Sequence, residues 1–368
     1  LNDRAEQLQT FDLSSYLFHV MNTFCNALFA GVVSLTATQS VWSADQVYMR
    51  TESKPYIGRI TSVTPTAVTI ETQGTKAGSH EVTTNDIIRV QFDNSSDGML
   101  RVEKSVLEGD FDTALETLEK VTDDGQRREM SEEIAFDRAL CAAQIALAGR
   151  GKPHEAAVAM LKFVQASPNS FHYFQACELI GDLLVADGNL KVAQDYYGKL
   201  AQAPWPDYKM KAQIALGRAF LGMNKVAEAD KSFDDALTND AAGDLAEGQR
   251  LIARIGKARC QILTGKVDAA MATVKEMLSR SDEKNPELQA CCYNAMGAAL
   301  RKTGKPKEAI LAFLHTHLMY SGFPDADAEA VANLEQLFIQ THNASHAQEM
   351  RQVLDERYKN SRWAKMGQ

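Results

Sequence analysis

Missing from the 368 residues of this chain are a C-x-x-C pair, a surplus of positive charge and the short motifs that announce catalysis. Each absence excludes something. Of six cysteines, Cys25 lies in an apolar leader, and Cys291 and Cys292 are neighbours that do not readily bridge each other. The five behind the leader are an odd number, which makes no disulfide framework. Cys141, Cys177, Cys260, Cys291 and Cys292 therefore read as small buried hydrophobes of helices. With 39 Lys and Arg against 48 Asp and Glu, the net charge is −9. That is the wrong sign for a general nucleic-acid binder, which must displace counterions from phosphates. There is no G-x-S-x-G elbow, no phosphate loop ending in Lys-Ser/Thr and no H-E-x-x-H. His315 and His317 are two apart and face different sides of a helix. His342 and His346 flank the turn Asn343-Ala344-Ser345, and a metal needs three or four convergent ligands, so all four read as surface residues. Glu132-Glu133 and Asp123-Asp124 read as solvated charges near helix starts, where the dipole favours anions. Neither catalysis nor a metal nor a cofactor is expected.

What is there begins with a leader. Hydrophobic residues make up 45% and charged residues 24%, the balance of a soluble globular protein. From Met21 to Leu35 the chain is apolar and uncharged, and it runs on to Val41-Trp42-Ser43-Ala44 before Asp45. The small residues Val41 and Ser43 suit a signal peptidase, with cleavage after Ser43 or Ala44. The apolar core, Ala27 to Leu35, is short of the roughly 20 residues of a membrane span. Residues 1–44 thus read as an export segment with Met21 as the natural start, which places the mature chain, without a membrane span, in the periplasm or cell envelope of a bacterial-type cell.

Residues 45–95 read as a small β-barrel-like module. Tyr56–Val63, Ala67–Glu71, His80–Thr83 and Ile87–Phe92 alternate apolar and polar residues, with β-branched side chains and Gly or Pro between the runs. Four or five short strands of this kind look like an SH3-like or Sm-like unit, marginal alone and expected to dock on the helices. Asp93 to Gly98 imitates a calcium loop but places Lys104 where the closing bidentate Glu belongs, and reads as a polar linker.

Beyond Gly98 nothing reads as strand. Gly151-Lys152-Pro153-His154-Glu155-Ala156 is nearly repeated by Gly304-Lys305-Pro306-Lys307-Glu308-Ala309. In each, Gly is expected to end one helix in a left-handed cap and Pro to open the next. Equivalent turns are expected at Gly109, Gly188, Asn224, Gly265 and Asn343, and such regular spacing marks a solenoid. A finer pattern runs through the turns: Gly181…Gly188…Ala193…Tyr197, Gly217…Asn224…Ala229…Phe233 and Gly297…Gly304…Ala309…Phe313, the last preceded by Tyr293. Ala258…Gly265…Ala270…Val274 and Gly109…Ala114…Leu118 are weaker copies. Small residues on paired helices permit close approach, and the aromatic fills the space toward the next repeat. In these marks the stretch 99–363 resembles the tetratricopeptide repeat family, although every spacing exceeds the family's roughly 34 residues.

The expected fold is therefore α+β and mostly α: the β module, then a tetratricopeptide-type α-solenoid of about seven helical hairpins, then a tail at 364–368. The resemblance implies a binding scaffold that uses the concave face of its first helices. Projection of those helices places Lys211, Arg218, Arg259, Asn294 and Arg301 along the inside, a basic strip in an acidic protein. Other proteins or peptides, with acidic or carboxyl-terminal segments, are the expected partners. Self-assembly within an envelope complex is the alternative, and nucleic-acid contact through the β module is disfavoured by the charge.

Overall fold

The computed structural model describes residues 44–365, apart from 75–76, 94, 123–124, 126 and 281–284. The export segment expected before Asp45, and the Asp123-Asp124 pair, lie outside the described residues. Five strands, β1 (Asp45–Met49), β2 (Tyr56–Val63), β3 (Ala67–Thr72), β4 (Gly78–Thr83) and β5 (Ile87–Gln91), form one antiparallel sheet in the order β4-β3-β2-β1-β5. β1 enters the middle because its alternation buries Asp45, Val47 and Met49 on one face, between β2 and β5. That face collects Ile60, Val68, Ile70, Val82, Ile87, Val90 and Phe92, and Met130 and Phe171 of the helical region pack against it.

Asp45 fastens this sheet to the helices. Its buried carboxylate accepts the backbone N–H groups of Ile60 and Asp93, each at 2.8 Å, and a two-pronged bond from Arg127 at 2.6 and 2.8 Å. Burial alone would raise its pKa, but the Arg127 guanidinium and the two N–H groups outweigh it and hold the carboxyl below the usual range.

Fourteen helices follow among the described residues, as seven hairpins. They are α1 (Asp97–Glu108) with α2 (Phe111–Leu118), α3 (Arg128–Leu147) with α4 (Pro153–Ala166), and α5 (Tyr173–Asp187) with α6 (Leu190–Leu200). Then come α7 (Pro206–Gly222) with α8 (Val226–Leu237), α9 (Asp244–Leu263) with α10 (Val267–Arg280), α11 (Pro286–Lys302) with α12 (Pro306–Met319), and α13 (Pro324–Gln340) with α14 (Ala344–Arg357). The solenoid expected from the turns is present.

Seven residues take a left-handed conformation between paired helices: Gly109, Gly149, Gly188, Asn224, Gly265, Gly304 and His342. In every case the next N–H reaches back five residues to a carbonyl, for example Lys305 to Leu300 at 3.0 Å and Asn343 to Phe338 at 2.8 Å, which satisfies the open end of the first helix. Two expected turn positions are corrected. Gly149 rather than Gly151 carries the positive φ; Gly151 is needed for another reason, since a Cβ there would stand 3.0 Å from the Ala146 backbone. In the last hairpin His342 takes the left-handed place, and Asn343 opens the next helix.

The small residues before the turns serve the aromatics of their own hairpins. A Cβ on Gly181 would meet the Tyr197 ring at 2.3 Å, one on Gly217 the Phe233 ring at 2.6 Å, and one on Gly297 the Phe313 ring at 2.7 Å. Phe233 also lies against Gly256 of α9, so it does fill space toward the next repeat. Ala193, Ala229 and Ala309 are fully buried between the paired helices.

The hairpins wind far enough to meet themselves. The Asn360 side chain donates to the Gly151 carbonyl, and a Cβ on Gly149 would stand 3.0 Å from the Arg357 carbonyl oxygen. The end of the seventh hairpin thus closes on the turn of the second. Tyr358, Trp363 and Ala364 are buried in the last core. Its polar counterpart is Asp327, fully buried, which is bonded by Tyr358 Oη and lies 2.7 Å from His317 Nδ1. His317, expected at the surface, is instead largely covered by this contact. No helix among the described residues is long and apolar enough to cross a membrane.

Candidate functional site

The curl of the hairpins encloses a lumen lined by the first helices. In three successive hairpins the residue after the small one faces it: Asp182 on α5, Arg218 on α7 and Arg259 on α9, behind Gly181, Gly217 and Ala258. All three keep contact with water yet are surrounded by protein, and the charges that reach Arg218 and Arg259 come from other hairpins.

Four of the five expected groove residues belong to this enclosure. Lys211 Nζ lies 3.3 Å from Glu178 Oε2 on α5 and 5.4 Å from the centre of the Tyr208 ring. Arg259 makes a two-pronged bond to Glu329 on α13, skipping α11 altogether. Asn294, only 1% exposed, uses its amide to hold the Ala326 carbonyl at 2.8 Å and Glu329 Oε2 at 3.3 Å. Arg301 lies apart from them on the exposed last turn of α11 and donates to Asn333 Oδ1 at 2.8 Å. The basic strip is thus largely neutralised from within, by acids of other hairpins.

Arg218 is the exception. Its side chain is exposed and makes no hydrogen bond or ion pair among the described residues. The charges that reach it come from Glu287 and the Cys291 thiol on α11, Asp325 on α13 and Asp182 on α5. None of these is hydrogen-bonded or ion-paired to Arg218 among the described residues, although Glu287 and Asp325 add negative charge nearby. Asp182 is pushed up to about 7, first by enclosure and then by the Glu178 carboxylate, against the pull of the Tyr197 hydroxyl, Arg218 and Lys211. The Tyr197 hydroxyl donates to it at 2.7 Å. Burial pushes the Cys291 thiol up to about 11, so it is uncharged at neutral pH. For Asp325, enclosure would raise the pKa, but Arg362, the Trp363 indole N–H, Arg218 and Arg259 together hold it low. That carboxylate is already engaged, by Trp363 Nε1 at 2.7 Å and Arg362 at 3.2 Å.

An exposed guanidinium without a partner among the described residues can receive a carboxylate through two parallel hydrogen bonds. Asp182, Glu287, Asp325 and Arg362 were not expected at this site. The signal for Asp182 was present, because it follows Gly181 as Arg218 follows Gly217 and Arg259 follows Ala258. Asp325 and Arg362 carry no such signal, since they arrive only through the closure of the curl.

Cys141, Cys177, Cys260 and Cys292 are buried and Cys291 is half-buried, all as free thiols. Among the described residues no group of His, Cys, Asp and Glu converges closely enough to hold a metal ion. Glu132 and Glu133 correct the sequence reading, because neither is a solvated charge. Glu132 pairs with Arg128 at 2.7 Å and Glu133 with His172 at 3.0 Å, each acid largely covered.

No family model and no curated protein matches the chain. Solved structures do. The apo form of RapI superposes with a TM-score of 0.53 at 9% identity, over 72% of this chain and 97% of that one. The Rap protein complexed with competence and sporulation factor gives 0.50 at 12% identity, over 72% and 76%. A tetratricopeptide repeat protein from Parabacteroides merdae gives 0.49 at 14% identity, over 72% and 97%. At such identities the likeness is one of fold alone, an array of packed helical hairpins.

Proposed function

We propose that this chain is a non-enzymatic protein-interaction scaffold of the bacterial cell envelope, whose lumen receives an acidic or carboxyl-terminal peptide at Arg218. The observation that carries the reading is the contrast within the lumen. Lys211, Arg259 and Asn294 are committed to acids of the same chain, while Arg218 stands exposed among groups that do not pair with it. Lys211, Arg259 and Asn294 then frame the entering segment rather than hold its charge, and Arg301 lies outside it. Placement in the envelope is supported by the uncharged apolar stretch that precedes Asp45.

The test uses a fluorescent peptide array in which each sequence is present with a free carboxyl end and as the amide. Free-acid peptides should bind the wild type, and Arg218→Ala should weaken them by about tenfold or more, the worth of hydrogen bonds to a charged group. The same binding should fall as salt rises, because exposed charges are screened beyond about 10 Å at 0.1 M. Equal affinity of a normally folded Arg218→Ala variant, or indifference to amidation, would overturn the assignment. Self-assembly remains a second reading on one observation: Leu311 and Leu318, seven apart on α12, are exposed together with Met319. A defined oligomer in light scattering, lost on Leu318→Glu, would favour it.

A further inference from the structure

A second recess lies away from the lumen, where the sheet meets the first two hairpins. It encloses about 130 Å³ between β5, α1, α3 and the start of α5. An apolar cavity of about 150 Å³ accepts a benzene-sized group, so a small organic moiety fits here. One wall is apolar: Met99, Val106, Phe136 and Leu140. Three carboxylates, Glu103, Glu133 and Asp137, stand on the others.

Two of the three are answered. Glu103 is paired with Arg89, whose guanidinium also lies 3.8 Å over the Tyr48 ring. Glu133 Oε2 lies 3.0 Å from His172 Nε2, and that imidazole is stacked on Phe136 at 3.6 Å. Asp137 is not answered. It is 7% exposed, lines the recess, and makes no hydrogen bond or ion pair among the described residues. It also follows Glu133 by one helical turn, a like-charge spacing that works against the helix. A buried, unbonded polar group is costly, and the ordinary remedies are a partner or neutralisation.

We infer that this recess binds an ammonium or guanidinium group carried on a short aliphatic chain, with Asp137 as its principal anchor, Glu133 beside it and the Phe136–Leu140 wall against the methylenes. The three acids do not converge as metal ligands do, and half the lining is apolar, which fits an organic cation better than a bare ion. Without an occupant, Asp137 is held well above the usual carboxylate range, first by burial and then by the Glu133 and Glu103 charges. The groups facing it are Glu133 and Cys141 on its own helix, Glu103 from α1, Arg89 from β5 and His172 before α5. A bound cation reverses that shift, so binding near neutral pH releases a proton.

The chemistry is shared by a free amine and by a basic side chain on a peptide, and the probes separate them. Agmatine stands for the first and N-acetyl-arginine methylamide for the second, titrated into the whole chain by calorimetry in buffers of different ionisation enthalpy. One-to-one binding is expected, with a heat that changes with the buffer because a proton leaves. The tighter of the two probes identifies the source. Neutral pentanol should not bind. Asp137→Asn should weaken binding at least about tenfold and abolish the buffer dependence, and Glu133→Gln should weaken it less. Arg218→Ala should leave it untouched, which separates this site from the lumen. Failure of both probes to give a saturable heat at millimolar concentration would overturn the assignment, as would equal binding by a folded Asp137→Asn variant.

Discussion

The lumen and the recess both gather charge away from bulk water, and they resolve it in opposite ways. In the lumen, opposite charges from different elements meet: Arg259 with Glu329 across an intervening hairpin, Lys211 with Glu178 of the adjacent hairpin, and Arg362 with Asp325. One cation, Arg218, is left over. In the recess, acids from α1 and α3 outnumber the cations, and one carboxylate, Asp137, is left over. The lumen spares a positive group in a wet space, where exposure costs little. The recess leaves a buried carboxyl without a partner, driven toward its neutral form by burial and by two like charges, which is expensive. A leftover charge that is cheap to keep says little about selection, whereas one that destabilises the fold needs a reason.

That contrast can be broken at three points, in falling order of effect. Arg259→Ala should destabilise the fold by about 2–3 kcal/mol, somewhat below the 3–5 kcal/mol of a fully buried pair, because it leaves the covered Glu329 without its main partner. Chemical denaturation reads this directly, and a change under ~0.5 kcal/mol would mean that the bridge between α9 and α13 is ornamental. Asp137→Leu should act with the opposite sign and stabilise by about 1–2 kcal/mol, since it deletes an unbonded buried carboxyl. Its advantage should grow as pH rises from about 4, because the wild-type carboxyl is held protonated in the fold while the unfolded chain ionises.

The smallest effect is a slope, because Asp182 keeps contact with water and screening cuts the stability that its shift would otherwise carry. Asp182 titrates near 7 in the fold and near the ordinary value of 3.8 when unfolded. Between these values the folded state keeps a proton that the unfolded state loses, so this residue makes stability fall as pH rises from 4 to 7, with no further change above. Asp182→Asn should flatten that part of the melting-temperature profile. An unchanged profile would place Asp182 in open solvent rather than in the enclosure.

Much of the architecture was legible because its signals are local. A left-handed residue between helices wants Gly or Asn, and five of the seven turns announced themselves at the right residue. The other two slipped by one or two positions. Gly151 masked Gly149 because both are glycines with different duties, and His342 fills the place expected for Asn343. The first helices and their inward faces were legible too, hence Arg218 and Arg259. What could not be read is what meets those residues from the far side. Glu329 is 70 residues from Arg259, and no spacing rule connects them. Asp137 was hidden for a different reason. An acid on a helix reads as solvated unless one knows that a sheet edge and another helix cover it.

The bond between Asn360 and the Gly151 carbonyl changes the thermodynamics of a repeat array. In an open stack each unit leans only on its neighbours, and the last one can fray without consulting the rest. Joined end to end, the units form a loop with no free terminus from hairpin two onward, so loosening the last hairpin also loosens the second. Unfolding should then be more concerted than in a linear array of equal length. The circumference of the central space is likewise fixed by arithmetic, not by ligand: with the seam shut, the six joined hairpins admit only what fits their closed count, and a bulkier guest must first part the seam.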